Sequence, residues 1–262
     1  MIPLAFITQW KKNAPWINDY QIEQDLIIER ALVEIFSHKE LRKQLAFRGG
    51  TALHKIYLKP QARYSEDIDL VQIDQNPIGE ILTLIREKLN FIGKASYSAS
   101  GINAKLIFSF NSETEPIVPL KLKIEINTRE HFSAFGFKYI NHMVKSDWFD
   151  GVCELTTYSL EELLSTKLRA LYQRRKGRDL FDIYYACQNR KLDYAKVLEG
   201  FIKYLAHERL SVTQKEFIAN MEEKILQSDF TGDTVALLRP EIDYDHNMAW
   251  GRVKELLIEK LD

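Results

Sequence analysis

Asp67 and Asp69 stand two apart in the stretch Arg63-Tyr64-Ser65-Glu66-Asp67-Ile68-Asp69-Leu70, with Ile68 and Leu70 on the alternate positions. That alternation predicts a β-strand whose two carboxylates point the same way. By parity Ser65 shares their face. Like charges on one face repel, so the pair is a poor structural device. It is a good device for Mg²⁺, which takes hard oxygen ligands and substrate phosphates. Upstream, Arg48-Gly49-Gly50-Thr51 offers a backbone that can come close to phosphate, with a hydroxyl beside it. Each piece alone is common, since Asp-x-Asp recurs in solvated turns and Gly-Gly often only turns the chain. Together they point to a metal-dependent enzyme acting on a nucleoside triphosphate.

The flanking pattern supplies elements to hold these groups. Asn18 to Ser37 reads as an amphipathic helix through Ile28, Leu32 and Ile35. Leu45 to Phe47 is a short strand ending at the glycines. Thr51 to Leu58 is then a helix stopped before Pro60, so the glycines stand at a strand-to-helix turn, where free N–H groups attract phosphate. Pro77 to Leu89 is a further helix. Lys105 to Phe110 and Val118 to Asn127 are strands. The second carries Leu120, Leu122, Ile124 and Ile126 on one face and Lys121, Lys123, Glu125 and Asn127 on the other. Phe137 to Val144 and Cys153 to Thr157 are weaker strands, and from Ser159 onward the pattern is helical. The expected plan is an α/β (α+β) half on a mixed sheet, residues 1–157, and a helical half, residues 158–262, packed tightly on it.

Composition sets bounds. With 262 residues, of which 45% are hydrophobic, the chain can bury a substantial core. Its net charge of −1 gives no global attraction to nucleic acid, so binding to RNA or nucleotide needs a local patch. Cys153 and Cys187 are the only cysteines, which excludes a Cys-rich zinc site and fits a reducing compartment. The six histidines show no metal-ligand spacing. The N-terminal apolar run is short, contains Pro3 and precedes its lysines, unlike a signal peptide. No segment approaches the roughly 20 apolar residues that span a bilayer. The expectation is a cytoplasmic protein with no membrane partner.

Three further groups could carry chemistry. Glu125 lies on the polar face of the clearest strand, where it either pairs with Lys121 or Lys123 or converges with Asp67 and Asp69. Ser159 and Glu162 form a capping box that starts a helix with Leu160, Leu164, Leu168 and Leu171 on one face and Lys167 at its border. Lys167 to Arg178 contains bases and no acid. Arg175, Lys176 and Arg178 there read either as a solvated helix connection turning at Gly177 or as an anion site, for which the planar guanidinium fork is suited.

Gly49-Gly50-Thr51-Ala52-Leu53 followed by Arg63-Tyr64-Ser65-Glu66-Asp67-Ile68-Asp69-Leu70 resembles the first motif of the AbiEii/AbiGii-type toxin nucleotidyltransferases, within the polymerase-β-like nucleotidyltransferase superfamily. The resemblance runs from about Phe47 to Tyr185. In its later part the family pairs a helix lysine with a basic run ending in Asp, here Lys167 and Arg174-Arg175-Lys176-Gly177-Arg178-Asp179. It implies a toxin of a toxin–antitoxin or abortive-infection system that moves NMP from an NTP to RNA, most readily a tRNA 3′ end, and releases pyrophosphate. It implies Mg²⁺, with Mn²⁺ as the alternative, on Asp67, Asp69 and Glu125. Gly49, Gly50, Thr51, Ser65 and Lys167 would cradle the nucleotide, and Asp179 would orient Lys167 or a metal-bound group. A cognate antitoxin is the implied partner. Nucleotidylation of a protein hydroxyl, a metal-dependent nuclease and a non-catalytic nucleotide-binding module remain alternatives. A phosphate on Ser65 would set negative charge beside the acids and repel substrate.

Overall fold

The computed structural model describes residues 2–100 and 103–261. The chain forms two compact units, Met1–Lys55 with Tyr64–Ser133 and Phe137–Tyr158, and Ile56–Arg63 with Ala134–Gly136 and Ser159–Asp262.

The first unit holds helices α1 (Leu4–Trp10), α2 (Asp19–Ser37) and α3 (Lys39–Gln44), then strand β1 (Leu45–Arg48). Helix α4 (Gly49–Ala52) follows β1 directly and runs on as a π-helical turn, Leu53–Tyr57. Next come β2 (Asp67–Gln72), α5 (Ile78–Lys88), β3 (Ala95–Ser100), β4 (Asn103–Asn111), β5 (Pro119–Asn127), β6 (Lys138–Lys145) and β7 (Asp150–Thr157). The strands form one mixed sheet in the order β3-β4-β5-β2-β1-β7-β6. β2 runs parallel to β5 and β1 parallel to β7; the other neighbours are antiparallel.

The alternation read in β5 is realised, with Leu120, Leu122, Ile124 and Ile126 all buried. The ladders set Phe47, Leu70 and Ile126 side by side on one sheet face, and α2 packs against β5, β6 and β7. A one-residue slip of β2 against β5 would turn Asp69 into this apolar layer. Each buried Leu or Ile contributes about 1.5–3 kcal/mol, so the apolar face fixes the register that places the acids on the other face.

Several elements differ from the expected ones. The helix after β1 begins at Gly49 rather than Thr51, because positive φ at Gly49 lets the chain turn at once. β2 begins at Asp67, so Ser65 precedes the strand instead of sharing its pleat. The Ala- and Ser-rich β3 and the short α1 and α3 carried too little periodicity to be read.

The second unit is built on α6 (Leu160–Gln173), α7 (Gly177–Asn189), α8 (Tyr194–His207), α9 (Gln214–Ile225), α10 (Ser228–Thr231) and α11 (His246–Leu256). Ser159 caps α6 as expected, accepting the Glu162 N–H; the Glu162 carboxylate itself accepts from Ala134 N–H and Tyr204 O–H. Leu164, Leu168 and Leu171 are buried, with α7, α8 and α9 packed against this helix.

Candidate active site

Strand register assembles the first unit's polar face. Arg48 stands opposite Asp69, Asp69 opposite Glu125, and Glu125 opposite Lys105. Asp67 stands opposite Lys123. Directly paired residues share a sheet face, so one row reads Arg48, Asp69, Glu125, Lys105 across β1, β2, β5 and β4. Three carboxylates and their cations thus meet on rigid central strands.

Gly49 opens the space that Asp69 uses. Its φ is +80°, a left-handed conformation that favours glycine. A Cβ added there would overlap the Asp69 carboxylate and stand 2.9 Å from its Cβ and Cγ. Thr51 is buried, and its hydroxyl donates to the Asp67 carbonyl oxygen. That uses the hydroxyl's single proton, so the Ser65 hydroxyl donates to Thr51 Oγ1 at 2.8 Å. Thr51 and Ser65 therefore pin α4 to the start of β2 and hold Asp67 in place, a different use of the hydroxyls from direct phosphate binding.

The carboxylates are compensated by neighbouring cations. Lys123 Nζ lies 2.7 Å from Asp67 Oδ2 and 3.5 Å from Glu125 Oε2. Lys105 Nζ lies 3.4 Å from Glu125 Oε2, and Asn103 Nδ2 donates to Glu125 Oε1. Partial burial pulls the Lys123 ammonium down, but its bond to Asp67 and the charges of Asp67, Glu125 and Asp69 outweigh this and hold it above the usual lysine range. Arg48 is held by Glu130 at 2.8 Å. Glu125 thus does both things its sequence position allowed: it pairs with lysines, Lys123 and Lys105 rather than Lys121, and it stands beside Asp69. Among the described residues, no group of three or more His, Cys, Asp or Glu side chains is arranged to hold a metal. The donor chemistry nevertheless suits a hard divalent cation, since all three acids offer carboxylate oxygens on one face. What stands between Asp67 and Glu125 is the Lys123 ammonium.

The second unit holds a separate charged cluster. Lys167, 6% exposed, donates to Asp179 Oδ1 at 2.9 Å and lies 2.8 Å from Asp182 Oδ2. Arg174 grips Asp179 with two bonds of 2.6 and 2.8 Å, and Arg63 grips Asp182 with two of 2.6 and 2.7 Å. Burial pushes the Asp179 carboxyl up, but Lys167 and Arg174 outweigh it and hold the group below the usual carboxylate range. The basic run is less bare than its composition implied. Arg175 lies within 4 Å of Glu223 and Asp229, and Lys176 and Arg178 both face Asp233. Arg178 pairs with Asp233, not with Asp179 or Asp182, because Arg174 and Arg63 already hold those two.

Sequence reasoning assigned no role to Arg48, Asn103, Lys105 or Arg63, weighed Asp182 only as a local partner of Arg178, and weighed Lys123 only as a surface partner of Glu125. The parity of Lys123 with Glu125 and of Asp67 with Asp69 was visible; the parallel register that joins the strands was not, because it depends on a crossover between distant segments.

The model of the family described as "Nucleotidyl transferase AbiEii toxin, Type IV TA system" matches residues 30–252. No curated protein matches the sequence. Among solved structures, the fold is similar to MenT4, a nucleotidyltransferase toxin from Mycobacterium tuberculosis H37Rv, with a TM-score of 0.70 at 17% identity over 100% of this chain and 91% of that one. It is also similar to JHP933 from Helicobacter pylori, with a TM-score of 0.61 at 18% identity over 94% of this chain and 95% of that one.

Proposed function

This chain belongs to the AbiEii nucleotidyl transferase toxin family of type IV toxin–antitoxin systems, and from that premise we propose that it moves a nucleoside monophosphate from an NTP to an RNA acceptor, a tRNA 3′ end first among them. The family supplies the enzyme class, the NTP donor and an antitoxin as partner. The acceptor, the metal and the residues are the reading advanced here. One observation carries it: Asp69 and Glu125 stand in register on adjacent parallel strands, with Asp67 on the same face.

Asp67, Asp69 and Glu125 would hold Mg²⁺ or Mn²⁺. When bound, such an ion polarises the α-phosphate and stabilises the departing pyrophosphate. Gly49 and Gly50 present backbone to the phosphates, while Thr51 and Ser65 fix that backbone to the acid strand. The acceptor hydroxyl attacks the α-phosphorus and the bond to the β-phosphate oxygen breaks. Glu125 would accept the hydroxyl proton or join Asp67 and Asp69 in holding the ion. In the second unit, Lys167, oriented by Asp179, together with Arg175, Lys176 and Arg178, serves phosphate contact. Residues 1–157 then carry the transfer chemistry and 158–262 the anion contacts. No helix among the described residues is long and apolar enough to cross a membrane, in keeping with the proposal that the protein acts in the cytoplasm.

The test incubates the protein with each α-labelled NTP, a divalent metal and total RNA, followed by nuclease and protease digestion of the product. Nuclease-sensitive label supports RNA as acceptor. Protease-sensitive label supports nucleotidylation of a protein. Shortened, unlabelled RNA supports a nuclease.

A further inference from the structure

Lys123 is the cation at the point where the acids converge. Its ammonium reaches Asp67 on its own register partner and Glu125 two residues along its own strand. Its side chain is about a third exposed, 33%, as is that of Asp67, 34%. It is therefore neither locked in the core nor free in solvent. Without it the carboxylates of Asp67, Asp69 and Glu125, on one face of two adjacent strands, would repel with less compensation. Glu125 is held from the far side by Asn103 and Lys105, so its position does not depend on Lys123 alone. Asp67 is fixed from behind through the Thr51 bond to its carbonyl. Glu125 and the Asp67 backbone thus stay in place when the ammonium leaves, and a flexible four-carbon stem lets it leave without moving the strand.

We propose that Lys123 is a positioning residue that occupies the space between Asp67 and Glu125 and is displaced when a divalent cation binds them. This rests on the metal-binding reading of the acids given above. Lys123 supplies compensating charge to the unloaded row and competes with the ion for the same oxygens. Removing the ammonium removes a competitor and a like charge together, so both effects tighten ion binding, by about fivefold if the partly exposed pair contributes near the upper end of its usual range.

Mn²⁺ titrated into the full-length protein, with free ion followed by electron paramagnetic resonance, tests this. Wild type binds Mn²⁺ and Asp67→Ala does not. Lys123→Met and Lys123→Gln bind it about fivefold more tightly, whereas Lys123→Arg, which keeps the competing charge, does not gain. A second readout uses the unmutated protein. Reductive methylation of Lys123, followed by mass spectrometry with exposed Lys121 as the internal control, accelerates on adding Mn²⁺ because the ammonium is released. If wild type binds Mn²⁺ but the Met and Gln variants, folded by circular dichroism, bind it no more tightly, or if Lys123 methylation does not accelerate relative to Lys121, the displacement is overturned and the metal reading survives. If neither wild type nor the variants bind Mn²⁺, the metal reading fails and the inference fails with it.

Discussion

Gly49→Ala separates the cost of an unusual backbone from the cost of moving the carboxylate proposed to be catalytic. Gly49 and Gly136 have almost the same φ, +80° and +79°. An L-residue in that region costs about 1–2 kcal/mol, so Gly49→Ala and Gly136→Ala share this term. They differ in what the new methyl group meets. At Gly136 nothing lies within 4 Å, whereas at Gly49 the methyl overlaps the Asp69 carboxylate. The carboxylate must therefore shift, and a misplacement of about 1 Å at a reacting centre costs on the order of 10²-fold in rate. Thermal unfolding reads the shared term, with both variants melting a few degrees lower, at roughly 2–4 °C per kcal/mol for a unit of this size. Transfer of α-labelled NMP reads the difference, with Gly136→Ala within a few-fold of wild type and Gly49→Ala lower by on the order of 10²-fold. Equal activity of the two alanine variants would refute the assignment of Asp69 to the reacting centre.

Asp182→Ala leaves the Arg63 guanidinium, which Asp182 grips with two bonds, short of its buried partner and should cost about 3–5 kcal/mol in a urea titration; a loss under about 1 kcal/mol would show that the cluster adds little to the fold. Asp179 has its folded pKa held below the ordinary value of 3.8, so its contribution to stability is present above that value and is lost as pH falls through the folded pKa. The stability gap between wild type and Asp179→Asn should accordingly shrink as pH is lowered below about 4, and a gap independent of pH would contradict the ion-pair geometry. Reversing Arg175 and Lys176 to Glu places acids against Glu223, Asp229 and Asp233. The Arg175 pairs are exposed and each count for at most about 1 kcal/mol, and the largely buried Asp233 keeps the Arg178 N–H and guanidinium when Lys176 is reversed, so the variant should stay folded yet lose RNA-dependent activity, and wild-type activity should fall across a salt series. Melting without altered RNA use in the folded fraction would mark the segment as a structural helix connection.

The sequence carried the sheet's core strands because their signal is local. Alternation in Val118 to Asn127 is enough to say which side chains are buried, and the same parity puts Lys123 and Glu125 on the other face. Asp67 and Asp69 were legible for the same reason, and the glycines were legible as a strand-to-helix turn. What could not be read was pairing over distance. Nothing local says that β2 lies between β1 and β5, that Arg48 faces Asp69, or that Asn103 reaches Glu125. The basic run looked electropositive because its acids, Glu223, Asp229 and Asp233, come from helices some 50 residues further along. Lys167 at the edge of an apolar stripe could have snorkelled to water. The structure buries it between Asp179 and Asp182, a pairing that periodicity alone does not contain.

The central claim is that the in-register acids of β2 and β5 drive nucleotidyl transfer. The most direct test measures pyrophosphate release and entry of α-label into RNA in the same reaction, for wild type and for Asp69→Asn, with folding of both checked by circular dichroism. The account predicts equal amounts of pyrophosphate and incorporated label from wild type, and loss of both in a folded Asp69→Asn. Label incorporation that persists in Asp69→Asn, or RNA cleavage by wild type without incorporated label, would contradict it.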